Sequence, residues 1–226
     1  MSHTDIWIIR HGETDWNSER RLQGWRDIPL NNAGIAQAEN LCKHLNNNFF
    51  QVLPHHIYTS DLQRAYHTAL PYADANKLSI TTLPGLRERN YGILEGKHWS
   101  VLKEYNAIRE ENLAIELSQE KHQAESLQTF YDRISHTLQA LAKQHLNETL
   151  LLISHGGAID MMWRVANQLP PNAPREFTQR NTSINRLQIS HEQKYAVISW
   201  ADTRHLEDPL KQTNQLFNAN HIPGSA

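Results

Sequence analysis

The chain has 226 residues, of which 39% are hydrophobic and 20% charged, a composition typical of a soluble globular protein with a single domain at residues 1–226. The net charge is −2 and no Lys/Arg-rich run occurs, which argues against a nucleic acid or a membrane surface as partner. The single cysteine, Cys42, excludes an internal disulfide; since no signal-peptide or membrane-span pattern is visible, we expect a cytoplasmic location.

The first predicted element is a buried strand at residues 6–9, a run of four apolar residues. Arg10, His11 and Gly12 follow it directly. In open α/β sheets, ligands bind just beyond the carboxyl ends of the strands. A cation, an imidazole and a conformationally permissive glycine therefore stand where a ligand site is expected, although a single short motif of this kind is also found in surface loops.

The next predicted elements are a loop and a helix. Residues 15–25 are polar, lack a period and are predicted to form a loop around the mouth of the site. A helix is predicted over residues 29–46. Its buried stripe consists of apolar residues at helical spacing: Ile35, Ala38, Leu41 and Leu45.

A short strand at residues 56–59 precedes a second predicted helix. Ser60 as N-cap and Gln63 three residues later match a capping box. Arg64 lies in the first turn of this helix and is therefore close to the edge of the sheet. An isolated arginine in such a position is more often a solvated helix residue than a ligand group.

The middle of the chain is predicted to supply a shaped loop and a cap. Residues 78–83 form a strand candidate, and the following charged stretch with two glycines, which contains Glu88, is predicted to be a loop. Residues 95–125 are weakly helical and are expected to form a small cap over the site. Strong helical spacing of apolar residues predicts a helix over residues 126–146.

The last third returns to the strand-and-helix pattern. Apolar residues 149–153 predict a strand that leads into Ser154, His155 and Gly156, with a helix behind them. Two alternating strands are predicted at residues 183–189 and 195–200, and residues 203–226 form a polar tail. This order predicts an α/β fold with a mostly parallel sheet.

Two predicted strands thus end in a histidine followed by glycine, and in a parallel sheet both ends lie at one edge. The helix after His155 offers free N–H groups to an anion, and Arg10 and Arg64 can add forked hydrogen bonds. Two histidines, two arginines and a helix start predict a pocket for a phosphoryl group. A neutral histidine can attack phosphorus, and a carboxyl group must protonate the leaving oxygen; Glu88 is the best placed. These arguments leave His11 and His155 equal as nucleophile.

Four stretches, in order along the chain, resemble the signature blocks of the histidine phosphatase (phosphoglycerate mutase-like) superfamily. They are RHGET at 10–14, SDLQRA at 60–65, ERNYG at 88–92 and SHGG at 154–157. The resemblance extends over residues 6 to about 200. It implies a three-layer α/β/α sandwich with a mostly parallel sheet and a small helical cap.

The resemblance also implies roles for individual residues. His11 becomes phosphorylated, while Arg10, Arg64 and His155 bind the phosphoryl group. Glu88 donates a proton and then activates water. Three further phosphate-binding positions are implied or predicted: Asn17, Gln23 and Gly156. No metal and no other cofactor is used, and no His-x-x-x-His pair or Cys/His cluster is visible in the sequence.

The superfamily contains both phosphatases and mutases. Cofactor-dependent mutases carry a longer insertion between the residues equivalent to Glu88 and His155, with an arginine pair that is missing here. A mutase must exclude water from its phosphorylated intermediate, so the shorter cap favours a phosphatase. Cofactor-dependent phosphoglycerate mutase and a non-catalytic phosphate-binding scaffold are the alternatives.

Substrate specificity is expected to depend on four residues that offer charge or a polar ring near the site. They are Arg21, Arg89, Tyr91 and Lys97. A solvated surface charge is the equally simple interpretation of the three cations. The expected partner is a small phosphorylated substrate, and six tryptophans leave a homodimer open.

Overall fold

A six-stranded sheet lies at the centre of the computed structural model, which describes residues 2–47, 49–50, 53–102 and 123–206. The strands are β1 (His3–Arg10), β2 (His56–Thr59), β3 (Ile80–Thr82), β4 (Thr149–Ser154), β5 (Ile184–Ser190) and β6 (Tyr195–Asp202). They are arranged in the order β3-β2-β4-β1-β5-β6. β1 to β4 are parallel, and β5 runs antiparallel to both of its neighbours. The predicted mostly parallel α/β sheet is thus confirmed.

Helices cover both faces of this sheet. They are α1 (Asp15–Ser18), α2 (Asn32–Asn46), α3 (Gln63–Asn76), α4 (Leu127–Gln144) and α5 (Gly156–Ala166). β4 is buried along its whole length, as its uninterrupted apolar sequence predicts. Its Leu151 and Ile153 pack with α2 and α3, whereas Leu150 and Leu152 pack with α4 and α5. The predicted three layers are therefore present.

The predicted capping box at Ser60 is wrong. α3 begins at Gln63 after Leu62, which provides no side-chain cap. The Ser60 N–H donates to the carbonyl of Ile153 at 3.0 Å, so the chain is still extended and attached to β4 at this point. The Ser60 hydroxyl accepts the N–H of Leu62, at 3.3 Å, and not an N–H of the first turn of α3.

The predicted buried stripe of α2 is wrong at Ile35, which is 49% exposed. Gly34 takes the buried position in the first turn instead. A Cβ atom there would lie 2.0 Å from the carbonyl oxygen of Glu13, so only glycine lets the helix approach the loop after β1. That loop also contains the short helix α1, whereas the sequence predicts an irregular loop at residues 15–25. Thr14 and Asn17 cap each other at the start of this helix.

The predicted cap and tail lie mostly outside the described residues. Of the cap at 95–125 the structure describes 95–102 and 123–125, and of the tail at 203–226 it describes 203–206, which include a 3₁₀ turn at Arg204–Leu206. Within the described part of the chain, no helix combines the length and the apolar character needed to cross a membrane.

Candidate active site

Two histidines meet at the carboxyl ends of β1 and β4. Arg10 and Ser154 are partners in the parallel register of these strands, so His11 and His155 follow side by side. The N–H of His11 donates to the Ser154 carbonyl at 2.9 Å, and the two ring centroids are 5.1 Å apart. Both side chains are buried, with 3% and 0% exposure. The structure thus brings together the two residues that the strand ends predicted.

The hydrogen bonds give the two rings opposite tautomers. His11 Nδ1 lies 2.6 Å from the Gly12 carbonyl oxygen and must donate to it, which leaves the lone pair on Nε2. His155 Nδ1 accepts from Arg64 Nε at 3.2 Å, so its hydrogen is on Nε2. That Nε2 is buried and has no partner among the described residues. One ring is therefore arranged as a nucleophile and the other as a hydrogen-bond donor.

Two arginines surround the histidine pair. Arg64 is fully buried, and its terminal nitrogens donate to the carbonyls of Gly24 and Arg26, both at 2.8 Å. Arg10 donates to the Gln179 carbonyl, and its Nε has no partner among the described residues. Burial lowers the pKa of both guanidinium groups to about 10. Both remain charged at neutral pH and can stabilise an anion.

Glu88 lies against the start of α5. Its Oε2 accepts the N–H of Gly157 and its Oε1 accepts the N–H of Arg89, both at 2.9 Å. A Cβ atom at position 157 would lie 2.3 Å from Glu88 Oε1. Gly157 therefore makes room for the carboxyl group beside the amino end of the helix.

A cavity of about 420 Å³ opens over these groups. Arg10, His11, Arg64, Glu88 and Gly156 all line it. One of the two histidines, both cations, the carboxyl group and the helix start thus line one cavity. This set of groups is suited to a phosphoryl group, since preorganised donors and cations stabilise the negative charge of phosphoryl oxygens.

Comparison with known proteins shows the family of the chain. Residues 6–203 match the sequence profile of the histidine phosphatase superfamily (branch 1). The chain belongs to this superfamily. The resemblance seen in the four sequence blocks, and with it the prediction of an enzyme of the phosphatase class, is thereby confirmed.

Two relatives and one solved structure illustrate the range of this superfamily. Phosphoglycerate mutase-like protein 4 from Arabidopsis thaliana is 34% identical over 214 residues, which cover 92% of this chain and 89% of that protein. The metal-independent phosphoserine phosphatase of the same plant is 31% identical, with 90% and 83% coverage. A phosphoserine phosphatase from Entamoeba histolytica, crystallised with 3-phosphoglyceric acid, superimposes with a TM-score of 0.75 at 28% identity, covering 90% of this chain and all of that one.

The loop after β1 contributes the other predicted phosphate-binding residues of this histidine phosphatase. Asn17 and Gln23 both line the active-site cavity. Asn17 is held in place because its Oδ1 accepts the N–H of Thr14 at 3.1 Å. Gln23 is buried, and its Oε1 has no partner among the described residues.

The predicted specificity residues are only partly gathered at the site. Arg21 and Tyr91 line the active-site cavity, and Arg89 lines a neighbouring cavity of about 490 Å³. The Arg89 guanidinium lies 5.6 Å from the centre of the Tyr91 ring. Lys97 is exposed and is not among the described residues that line either cavity; its carbonyl accepts the N–H of Leu22 at 2.9 Å.

Three residues near the site lie in the connection between α5 and β5, and the sequence analysis does not identify them. Asn181 donates to the His11 carbonyl at 2.9 Å and to Asn17 Oδ1 at 3.3 Å. It therefore connects the residue after β1 to α1. The Gln179 carbonyl accepts a hydrogen bond from the Arg10 guanidinium, and Arg175 lines both cavities. Their stretch is polar and contains no motif, so nothing in the sequence distinguishes it from an ordinary loop.

Burial determines the protonation of the histidine pair. It lowers the pKa of His11 well below 6.5, and the nearby charges of Arg64 and Arg10 act in the same direction. The pKa of His155 is lowered well below 6.5 by burial, Arg64 and His11. Both rings are therefore neutral at pH 7, as a nitrogen nucleophile requires.

These lowered pKa values predict a pH dependence of stability. Below pH 6.5 the unfolded chain binds a proton at each of these histidines and the native chain does not, so stability is lost as the pH falls. Each histidine contributes a slope of up to about 1.4 kcal/mol per pH unit. His11→Gln is expected to flatten the curve of unfolding free energy between about pH 6.5 and 5 by roughly this slope, measured by urea denaturation. Parallel curves for the variant and the wild type would show that the pKa of His11 is not lowered in the native chain.

Proposed function

We propose that the chain is a metal-independent phosphatase that hydrolyses small phosphomonoesters through a phosphohistidine on His11. The observation that carries this proposal is the hydrogen bond from His11 Nδ1 to the Gly12 carbonyl, which directs the Nε2 lone pair into the cavity shared with Arg10, Arg64 and Glu88. The metal-independent phosphoserine phosphatase among the relatives supports it.

In the first step, His11 Nε2 attacks phosphorus. The N–P bond forms as the bond from phosphorus to the ester oxygen breaks, and Glu88 in its protonated form donates the proton that the leaving oxygen needs. The phosphoryl oxygens are stabilised by Arg10, Arg64 and the free N–H groups at the start of α5. The His155 Nε2–H, which has no partner among the described residues, donates to the same oxygens.

In the second step, water takes the place of the alcohol. Glu88, now ionised, accepts a proton from the water as its oxygen attacks phosphorus. The N–P bond breaks and phosphate is released, and the Nε2 lone pair of His11 is restored. One carboxyl group therefore serves as acid and then as base, and no metal takes part in either step.

The region around the cavity also supports a class of substrate. Arg175 lines both cavities, and its side chain is 48% exposed, so its charge is accessible to a bound leaving group. Asp160, which is buried, accepts hydrogen bonds on Oδ2 from Arg164 at 2.6 Å and from Arg175 at 3.2 Å. Its Oδ1 has no partner among the described residues. A substrate that places a carboxylate beside Arg175 and an ammonium group beside Asp160 would be a phosphorylated amino acid such as phosphoserine.

Arg175→Gln is expected to raise KM for phosphoserine about tenfold or more, because a charge-assisted hydrogen bond contributes roughly 1.5–3 kcal/mol. KM for p-nitrophenyl phosphate, which has no carboxylate, should remain near the wild-type value. Arg180→Gln is the matched control, since Arg180 is exposed in the same segment. Steady-state kinetics with both substrates test this. Equal effects of the Arg175 change on the two substrates would refute a carboxylate-binding role.

Phosphoglycerate mutase is the second candidate, because relatives of this chain carry that name. The two functions are separated by assaying phosphate release from phosphoserine, 3-phosphoglycerate and p-nitrophenyl phosphate with a chelator present. A parallel assay supplies 3-phosphoglycerate with 2,3-bisphosphoglycerate. Free phosphate from the panel supports the phosphatase. Formation of 2-phosphoglycerate with little free phosphate would instead establish the mutase, and absence of both would leave a phosphate-binding scaffold.

A further inference from the structure

Three side chains of types that can bind a metal ion lie together at the edge of the sheet opposite the active site. His56 begins β2, His145 directly follows α4, and Glu148 directly precedes β4. β2 and β4 run from this edge toward the active site, and the six residues of β4 span about 20 Å. The sequence shows no such cluster by spacing, because the fold brings His56 to the other two residues from a distant part of the chain.

The ligand atoms are close to the arrangement that a metal ion needs. Glu148 Oε2 lies 2.6 Å from His145 Nδ1 and 3.0 Å from His56 Nε2. One potential ligand atom from each of the three side chains lies within 4.8 Å of the other two. Around a zinc ion with bonds of about 2.0–2.2 Å, tetrahedral ligands are about 3.3–3.6 Å apart. Small side-chain movements would therefore admit an ion at the point where these atoms now contact each other.

A second layer of contacts already fixes the most buried ligand. His145 Nε2 lies 2.7 Å from the hydroxyl of Tyr58, and both side chains are buried. When Nδ1 binds a metal, Nε2 carries the hydrogen and can donate it to this hydroxyl. Metal-binding histidines in proteins are commonly oriented by such a bond on the other ring nitrogen. His56 and Glu148 are 43% and 37% exposed, which leaves room for water as a further ligand.

We propose that His56, His145 and Glu148 bind one zinc ion in a site separate from the phosphatase centre. Two imidazoles and one carboxylate suit zinc, whereas magnesium and calcium prefer oxygen ligands only. The ion joins the start of β2 to the connection between α4 and β4. It therefore stabilises the native chain, which binds it, relative to the unfolded chain.

The test uses the full-length protein, freed of metal with a chelator and then titrated with zinc chloride in competition with a chromophoric chelator. We expect one tight site per chain. His56→Ala, Glu148→Gln and Tyr58→Phe should each weaken zinc binding about tenfold or more. His67→Ala, which alters an exposed histidine on α3, is the matched control and should bind zinc as the wild type does. Zinc should raise the melting temperature of the wild type and of His67→Ala by more than it raises that of His56→Ala.

The catalytic histidines are the competing zinc ligands, so His11→Ala is titrated in parallel. Zinc affinity that persists in His11→Ala and falls in His56→Ala supports the proposed site. The reverse pattern places the ion on the catalytic pair and overturns the proposal, as does the absence of tight zinc binding by the wild type. Phosphatase activity of metal-free His56→Ala should equal that of the wild type, so failure of the zinc site does not affect the proposed function.

Discussion

Replacing His11 by alanine is expected to reduce phosphatase activity by about 10⁴-fold or more, because the variant has no atom that can form the N–P bond. The chain should still fold. His11 lies just beyond the end of β1, and the apolar residues that hold this strand in the core, Ile6, Ile8 and Ile9, are unchanged. The measurement is phosphate release from phosphoserine and p-nitrophenyl phosphate, with thermal unfolding as the check on folding.

His67→Ala is the control for this result, since it removes an exposed histidine of α3 and should leave turnover unchanged. His155→Ala should also lose most activity, since it removes the Nε2–H donor. Near-wild-type turnover by a folded His11→Ala variant would exclude His11 as nucleophile. If His155→Ala lost all phosphatase activity and His11→Ala retained it, His155 would be the nucleophile instead of His11.

Replacing Glu88 by glutamine is expected to reduce kcat about 10²–10⁴-fold with phosphoserine, because the alkoxide leaving group needs a proton. The loss in the rate of phosphoryl transfer should be smaller with p-nitrophenyl phosphate, whose phenolate leaves without one. Rapid-mixing experiments with both substrates separate this transfer step from the later attack of water, in which Glu88 serves as base.

Glu95→Gln is the matched control for Glu88. Its carboxylate also lies near the site, but it accepts the backbone N–H groups of Trp25 and Tyr91 at 2.8 and 3.2 Å and so supports the surrounding loops. Its replacement should affect the two substrates equally. If Glu88→Gln also slowed phosphoryl transfer from both substrates to the same extent, the carboxyl group would be a positioning residue and not the acid.

The elements that the sequence predicts best are strands whose apolar residues follow directly from burial in the sheet. β1 and β4 contain continuous apolar runs because helices cover both faces of the sheet there, and each strand ends at the residue before a histidine. That the two histidines meet follows from parallel pairing, which needs no knowledge of side-chain contacts. For the same reason a cavity lined by Arg10, His11 and Gly156 could be predicted from residues far apart in the chain.

Predictions failed where a residue's environment is decided by a distant segment. Ser60 resembles an N-cap, but pairing with Ile153 keeps it in the sheet. Ile35 fits the apolar stripe of α2, yet the loop at Glu13 approaches so closely that Gly34 occupies the buried position. Asn181 and Arg175 lack any local signal because their partners, His11 and Asp160, belong to other elements. Such contacts exist only once the chain has folded.

Trapping a phosphohistidine on His11 would test the proposed mechanism at its first step. The enzyme is mixed with ³²P-labelled phosphoserine and quenched in alkali within milliseconds, and the labelled peptide is mapped. We predict label that is stable in alkali and labile in acid, located on the peptide that contains His11, and absent in His11→Ala. Rapid turnover without label on the protein, or label on the peptide that contains His155, would contradict this mechanism.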